Sequence, residues 1–527
     1  MNFVTVLVLD ILASWGRLLL ALFISIVLSI FLGIAAATNK KTEGAIVQFL
    51  DLFQTLPILA FFPVVITFVV LFLPNYIGVN IAVVFLIITS MVWNIAFGVY
   101  ESVKNIPESI KEVAAISHLT SWQRIKNVYL PASMPRIAYQ SMTSWSVGLF
   151  YLVTSEIFST GSAHFAVQYG IGVEIAKLVI SNTPVQYITA LAFLIAAILL
   201  TRYVFLSPFS AYAEKFTFNE EQKQEKSRIL SFYSRIGKFL ARLLPKGDGA
   251  AVLKKKVGGY AAIEKRETLS EPAHLILSSA TLPIALFIIF ALLVIITGAY
   301  SSLQAIGTAL LFSFLRVWGM YLLCAALVVP IGIKIAKSAR AFEPLLAALQ
   351  TVAAIPATVL LPLLIAFLFL LPYGNELVAM AVIFFAMVWY LLFSVISGMR
   401  TVPDDFKNIV GIFRMKWTRA WRDVYLPAIL PSFVTGSITA IGGAWNALIV
   451  AEYFSVQSSG CGATVCNQTV LSQVGSGIGK LLDIATFQGN IKLVLVTLAA
   501  MVVMIVLINK FVWQRLYKTV TAKYRIE

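Results

Sequence analysis

The sequence predicts an all-α polytopic membrane protein: two parallel copies of a five-span unit with one further span between them. Three observations carry that expectation. Of 527 residues, 60% are hydrophobic and only 12% charged, about half the charged share of a soluble domain. The apolar residues gather in stretches of about 20 or more, long enough to cross a bilayer. The chain also repeats itself: "MVWNIAFGVYESVKNIP" at 91–107 returns as "MVWYLLFSVISGMRTVP" at 387–403, an offset of 296.

Eleven stretches qualify as spans: 16–38, 46–73, 79–101, 137–158, 186–207, 275–298, 304–336, 343–371, 376–399, 433–455 and 490–513. The offset of 296 carries Leu130-Pro131 onto Leu426-Pro427 and Glu156 onto Glu452 without a gap. Upstream, Ser14, Arg17 and Gly33 meet Ser313, Arg316 and Gly332 at an offset of 299, and downstream "GIG" at 170–172 meets "GIG" at 477–479 at 307. The second copy has therefore gained roughly eleven residues after Glu452, among them "CGATVC". Five spans put the ends of each copy on opposite sides, so two copies of like orientation need an extra crossing. The expected domains are a first repeat at 1–208, a basic linker at 209–274, an extra span at 275–298 and a second repeat at 299–527. Parallel repeats imply a pseudo-two-fold axis along the membrane normal and a pathway between the halves.

The formal net charge of +16 does not call for nucleic acid, because Lys and Arg collect in cytoplasmic loops. They gather at 104–136, 401–423, 208–274 and the C-terminal tail, whereas the opposite loops hold Lys177 and Lys480, with Lys492 at a span edge. A multi-pass protein of the cell membrane is expected, N-terminus outside and C-terminus in the cytoplasm. Asp10 and Arg17 interrupt the apolar start, so no cleavable signal is expected. In the linker, Ile229, Phe232, Ile236, Phe239, Leu240 and Leu243 share one helical face and Arg228, Arg235, Lys238, Arg242 and Lys246 surround it. That pattern suits a helix lying on the anionic inner leaflet, with docking on a protein partner as the alternative.

The loop "EVAAISHLTSWQRIKNVYLPASMP" at 112–135 gathers polar and basic residues, and "NIVGIFRMKWTRAWRDVYLPAILP" at 408–431 repeats it. Pro107 ends the helix before the first loop and Pro131 is expected to stop the short helix within it. Glu112, Ala114, Trp122, Gln123, Val128, Leu130 and Pro131 fall at the spacing of the cytoplasmic loop of ATP-binding-cassette importer permeases, which this segment resembles. The Ser-x-x-Arg opening of each repeat and the Glu156/Glu452 positions look like the nitrate, sulfonate and taurine branch of that superfamily. The resemblance covers roughly 14–208 and 313–517. It implies that each loop forms a coupling helix docking on an ATPase subunit, through Glu112, Ala114, His118, Trp122, Leu130 and Pro131 in the first copy. In the second, Asn408, Arg414, Trp417, Leu426 and Pro427 stand at the matching places. The departures are His118 and Arg414, where the family carries Gly, and Asn408, where it carries Glu.

Charges inside apolar spans are costly and need partners. Arg17, Glu156, Arg316 and Glu452 therefore have two explanations: the arginines attract an anion at the outer mouth, or each pairs with a carboxylate to fix packing. Pairing is preferred, since free carboxylates would repel an anion. Further pathway candidates on the fourth span of each repeat are Ser141 and Thr143 with their matches Ser437 and Thr439, and the unmatched Ser144, Ser155 and Asn446. Gln54 and Gln350 occupy matched positions on the second spans, followed by Pro57 and Pro63 and by Pro356 and Pro362. Such prolines either break the helix and turn backbone amides toward an anion or only shape the bundle. Cys461 and Cys466 lie in an outward loop where a disulfide clasp is chemically allowed, and "NQT" at 467–469 fits a glycosylation acceptor. "VGSGIGKLL" at 474–482 lacks the first Gly and the Ser/Thr of a phosphate loop. Three histidines, His118, His164 and His274, have no Cys or carboxylate at ligand spacing, so neither a metal site nor a catalytic constellation is expected.

The resemblance implies a permease and not an enzyme: no cofactor on this chain, ATP and magnesium on two cytoplasmic ATPase subunits, and an extracellular solute-binding protein delivering a small anion. The bilayer is its other partner, no nucleic acid is expected, and no homodimer is needed for the pathway. A secondary transporter driven by an ion gradient, or a scaffold that only holds ATPases, is the alternative.

Overall fold

The computed structural model describes residues 2–55, 57–161, 167–181, 183–213, 274–336, 342–368, 370–400, 415–457 and 468–523. The linker helix expected at 228–246 and the Asn408, Arg414, Cys461, Cys466 and Asn467 positions lie outside them.

The first half opens with α1 (Phe3–Thr38), α2 (Lys40–Thr55), α3 (Ile58–Phe72) and α4 (Asn75–Lys104). Two short helices follow, α5 (Glu108–Ile116) and α6 (Ser121–Arg124), then α7 (Leu130–Gly161), α8 (Ile171–Ile180), α9 (Pro184–Thr201) and α10 (Ser207–Ala213). After the linker come α11 (His274–Thr297), α12 (Leu303–Ala336), α13 (Phe342–Ala353), α14 (Ala357–Leu368) and α15 (Gly374–Arg400). The chain closes with α16 (Trp417–Ala420), α17 (Leu426–Glu452), α18 (Ile478–Phe487), α19 (Ile491–Ile508) and α20 (Arg515–Lys523).

Among the described residues seven helices are long and apolar enough to cross a membrane. Each expected span has a helical counterpart, but two are broken. The stretch expected at 46–73 is α2 and α3, and that at 343–371 is α13 and α14. Pro57 and Pro356 stand at the breaks, lacking the N–H that a continuing helix would use. The first span begins well before the expected residue 16, because the helix runs back to Phe3.

In α1 the buried residues Leu7, Asp10, Ser14, Leu18, Ala21, Ser25, Ser29 and Gly33 recur every three or four positions. Apart from Leu7 and Leu18 this stripe is small or polar, while Leu12, Phe23 and Phe31 point outward. The inversion is what lipid favours: large apolar side chains face the bilayer and small ones let helices approach. Ser29 Oγ donates to Val92 O at 2.8 Å, holding α1 on α4, which in turn packs on α7. In the second half α12, α15 and α17 pack in the same order.

The Leu-Pro pairs do not stop a helix. α6 runs through a π turn (Ile125–Tyr129) into α7, with Leu130 N–H donating to Ile125 O. α16 likewise runs through Trp421–Tyr425 into α17, with Leu426 N–H donating to Trp421 O. A proline just past such a widened turn has no N–H to lose and finds room for its ring. Two further π turns, Arg202–Leu206 and Asn509–Gln514, end the last span of each half.

The extra span α11 leans on α19, where Val294 packs with Ile306, Val496 and Ala500. After Glu452 the described residues form an antiparallel pair of strands, β1 (Tyr453–Gln457) with β2 (Gln468–Gln473). Its first strand contacts α7 and α8 of the opposite half. This two-stranded sheet is a small departure from the all-helical expectation.

Closest approach identifies which glycines matter. A Cβ at Gly33 would sit 2.6 Å from Val99 Cβ, and one at Gly332 would sit 2.7 Å from Val395 Cγ1. Gly33→Val and Gly332→Val should each cost about 1–3 kcal/mol and lower the thermal unfolding midpoint in detergent. Gly16→Val, with nothing within 4 Å, should leave it unchanged; three equal responses would contradict the packing.

Candidate functional site

The short helix α8 begins with the "GIG" at 170–172, and three side chains from other helices accept its first backbone N–H groups. Gly170 N donates to Asp10 Oδ1 at 3.0 Å, Ile171 N to Ser14 Oγ at 3.0 Å and Gly172 N to Glu156 Oε2 at 2.9 Å. Glu156 Oε1 in turn accepts from Ser14 Oγ and from Arg17 Nη1, both at 2.7 Å. Arg17 also donates to Asn80 Oδ1 at 2.7 Å and to Tyr169 O at 2.6 Å. The carboxylate therefore neutralises a buried cation and caps the positive end of a helix.

The second half builds the same clamp at α18. Ile478 N donates to Ser313 Oγ at 2.9 Å and Gly479 N to Glu452 Oε2 at 2.7 Å. Glu452 Oε1 accepts from Ser313 Oγ at 2.5 Å and from Arg316 Nη1 at 2.7 Å. The glycines are there for space: a Cβ at Gly170 would lie 2.6 Å from Glu156 Cδ, and one at Gly477 would collide with Glu452. The clamps differ in their second carboxylate. Arg316 reaches Glu376 through Nε at 2.7 Å and Nη2 at 2.8 Å, where the first half has Asn80; Asp10 has Ala309 at its matching place.

A different set of contacts joins the halves. Asn446 Oδ1 accepts from Leu59 N at 3.4 Å, and Thr154 Oγ1 lies 3.2 Å from Thr358 Oγ1. Tyr187 Oη donates to Val359 O at 2.6 Å. Arg202, on the π turn after α9, donates to Gln350 Oε1 at 2.6 Å and Thr351 Oγ1 at 3.3 Å. Of the sequence-derived pathway candidates, Asn446 and Gln350 thus lie on this seam. Gln54 instead donates to Asn94 of its own half at 3.2 Å. Ser144 donates to Met91 O at 3.4 Å and Ser437 accepts from Tyr321 Oη at 2.9 Å, both within their own half. Ser141 is buried and its hydroxyl has no partner in the structure. Thr154, Thr358, Tyr187 and Arg202 escaped a search for matched residues; the position matching Thr154 is Val450 and that matching Thr358 is Leu59.

The first loop is two short helices and not one. Glu112 is exposed on α5 and Ala114 is buried. His118 then adopts a left-handed φ of 48°, a conformation that glycine adopts without strain. Thr120 caps α6 in a capping box with Gln123. Trp122, Val113 and Ile116 stand 65%, 58% and 76% exposed, an apolar face turned away from the bundle. In the second loop Trp417 opens α16, and Leu426 and Pro427 open α17.

Removing one partner of a buried ion pair costs about 3–5 kcal/mol. Glu156→Ala should therefore lower the unfolding midpoint sharply, and Arg17→Ala/Glu156→Ala should lower it little further. Additive losses in that double-mutant cycle, followed by thermal unfolding, would show that the two residues act independently.

The family model for "binding-protein-dependent transport system inner membrane component" matches this chain twice, over residues 25–209 and 328–525. Similar proteins include the bicarbonate transport system permease protein CmpB of Synechococcus elongatus, 40% identical over 78 residues, 15% of this chain and 28% of the relative. The nitrate import permease protein NrtB of Leptolyngbya laminosa is 29% identical over 140 residues, 27% of this chain and 49% of the relative. The putative aliphatic sulfonates transport permease protein SsuC of Bacillus subtilis is 30% identical over 173 residues, 31% and 60%. The matched part thus spans less than two thirds of each of these relatives. With the family model matching most of its length, once in each half, this chain belongs to the binding-protein-dependent transport system inner membrane component family.

Proposed function

We propose that this chain is the membrane permease of an ATP-binding-cassette importer, with both halves of one pathway fused in a single polypeptide. The observation that carries this is the doubled family match laid on two halves that meet along a polar seam. The solute passes between the halves by alternating access. ATP and magnesium bind two cytoplasmic ATPase subunits, and a solute-binding protein delivers the cargo from outside. The excess of Lys and Arg around the α5–α6 and α16 loops supports a cytoplasmic location for them, with the N-terminus outside and the C-terminus inside. The exposed Trp122, Val113 and Ile116 suit docking on an ATPase, since such an apolar patch marks a partner surface. Relatives named for bicarbonate, nitrate and sulfonates support a small oxyanion as the solute. The clamps' arginines are engaged by Glu156 and Glu452, which supports a packing role for them over direct solute binding.

Proteoliposomes carrying the chain with its co-purified ATPase subunits test the proposal, using radiolabelled bicarbonate and nitrate and the binding protein. ATP-dependent uptake of one of them is expected, lost when the ATPase subunits are left out. Uptake that follows an ion gradient without ATP would establish a secondary transporter instead.

A further inference from the structure

Two of the seam contacts use matching half-helix ends, although their partners on the fourth spans stand at non-equivalent positions. Leu59 is the second residue of α3 and Thr358 the second residue of α14, so each lies just past a proline break. Each meets the fourth span of the opposite half: Leu59 N donates to Asn446 on α17, and the Thr358 hydroxyl meets Thr154 on α7. Leu59, Thr154 and Thr358 are 1% exposed or less, and Asn446 is 6% exposed. These four residues are buried where the halves meet, and two half-helix ends set into the opposite half make the contacts.

The same fourth spans begin, at their other ends, in the loops that bear Trp122 and Trp417, joined to them by π turns without an intervening coil. From Leu130 to Thr154 the helix is continuous, a rod of about 36 Å at 1.5 Å per residue. Displacing a loop therefore moves Thr154 or Asn446. The breaks at Pro57 and Pro356 leave α3 and α14 free of the hydrogen-bond ladders of α2 and α13, as hinge elements must be.

We propose that the Leu59–Asn446 and Thr154–Thr358 contacts are the gate of the pathway, made in the closed state and parted in each transport cycle. The proposal rests on the permease reading and deepens it by naming what opens. Its asymmetry has a consequence: Thr154 has Val450 as its counterpart, so Thr154→Val removes one gate bond while keeping a side chain the other half already carries there.

The test is a cross-link. Thr154→Cys/Thr358→Cys places two thiols where the hydroxyl oxygens stand 3.2 Å apart, and a membrane-permeable oxidant joins them with loss of two protons and two electrons to that oxidant. The full chain is purified with its ATPase subunits, and wild type treated alike controls for Cys324, Cys461 and Cys466. We expect ATP hydrolysis to fall at least tenfold on oxidation and to return on reduction with dithiothreitol. A cross-linked chain that hydrolyses ATP within twofold of its reduced rate overturns the gate. A wild-type complex without any ATPase activity overturns the permease reading and the gate together. Should the double variant fail to assemble, Thr154→Val decides: basal ATP hydrolysis is expected to rise about fivefold, the effect of one lost hydrogen bond on a two-state equilibrium, and an unchanged rate overturns the gate.

Discussion

One buried carboxylate in each half organises the end of the bundle that carries the short helices α8 and α18. Glu156 and Glu452 each accept from an arginine, a serine and a backbone amide, and all three donors come from elements that hydropathy alone would leave unconnected. In a membrane no water completes the shell of such a group, so the protein must supply every partner. That requirement explains the Ser-x-x-Arg turn of α1 and α12, which puts both donors on one helical face. It also explains the glycines of "GIG", since the carboxylate occupies the volume a side chain would need.

The clamp fixes the fourth span of each half at one end, and the family loop grips it at the other. Between these points the seam is held by hydrogen bonds, some made by the ends of broken helices. The two halves solve the same problem with different residues. Each clamp holds two carboxylates, but the second, Asp10 on α1, accepts from the Gly170 amide in one half, whereas Glu376 on α15 pairs with the arginine in the other. Fusion into one chain allows this drift, because each position faces one fixed neighbour and no longer a copy of itself.

Much of this was legible in the sequence. The repeat, the helical class and the pairing of intramembrane charges follow from periodicity and from the cost of an unpaired ion. His118, standing where the resembled family carries Gly, marked the loop as unusual, and the left-handed backbone there gives the reason. Other features were not legible. A Leu-Pro pair signals a helix end when the regular turn is the only one considered, and the π turn before it removes the conflict. Asp10, Asn80 and Glu376 were missed because their half-to-half counterparts differ in charge. Thr154 and Thr358 were missed because they join non-equivalent positions, which internal alignment cannot bring together. Nothing in the composition after Glu452 announced a strand pair whose first strand contacts α7 and α8 of the other half.

The central claim is that one copy of this chain supplies both halves of one pathway. Native mass spectrometry of the complex, purified in mild detergent from membranes holding its own partners, tests it most directly. One copy of the 527-residue chain with two ATPase subunits is expected. Two copies of the chain on a single pair of ATPase subunits would contradict it, because the seam described here would then not be the pathway.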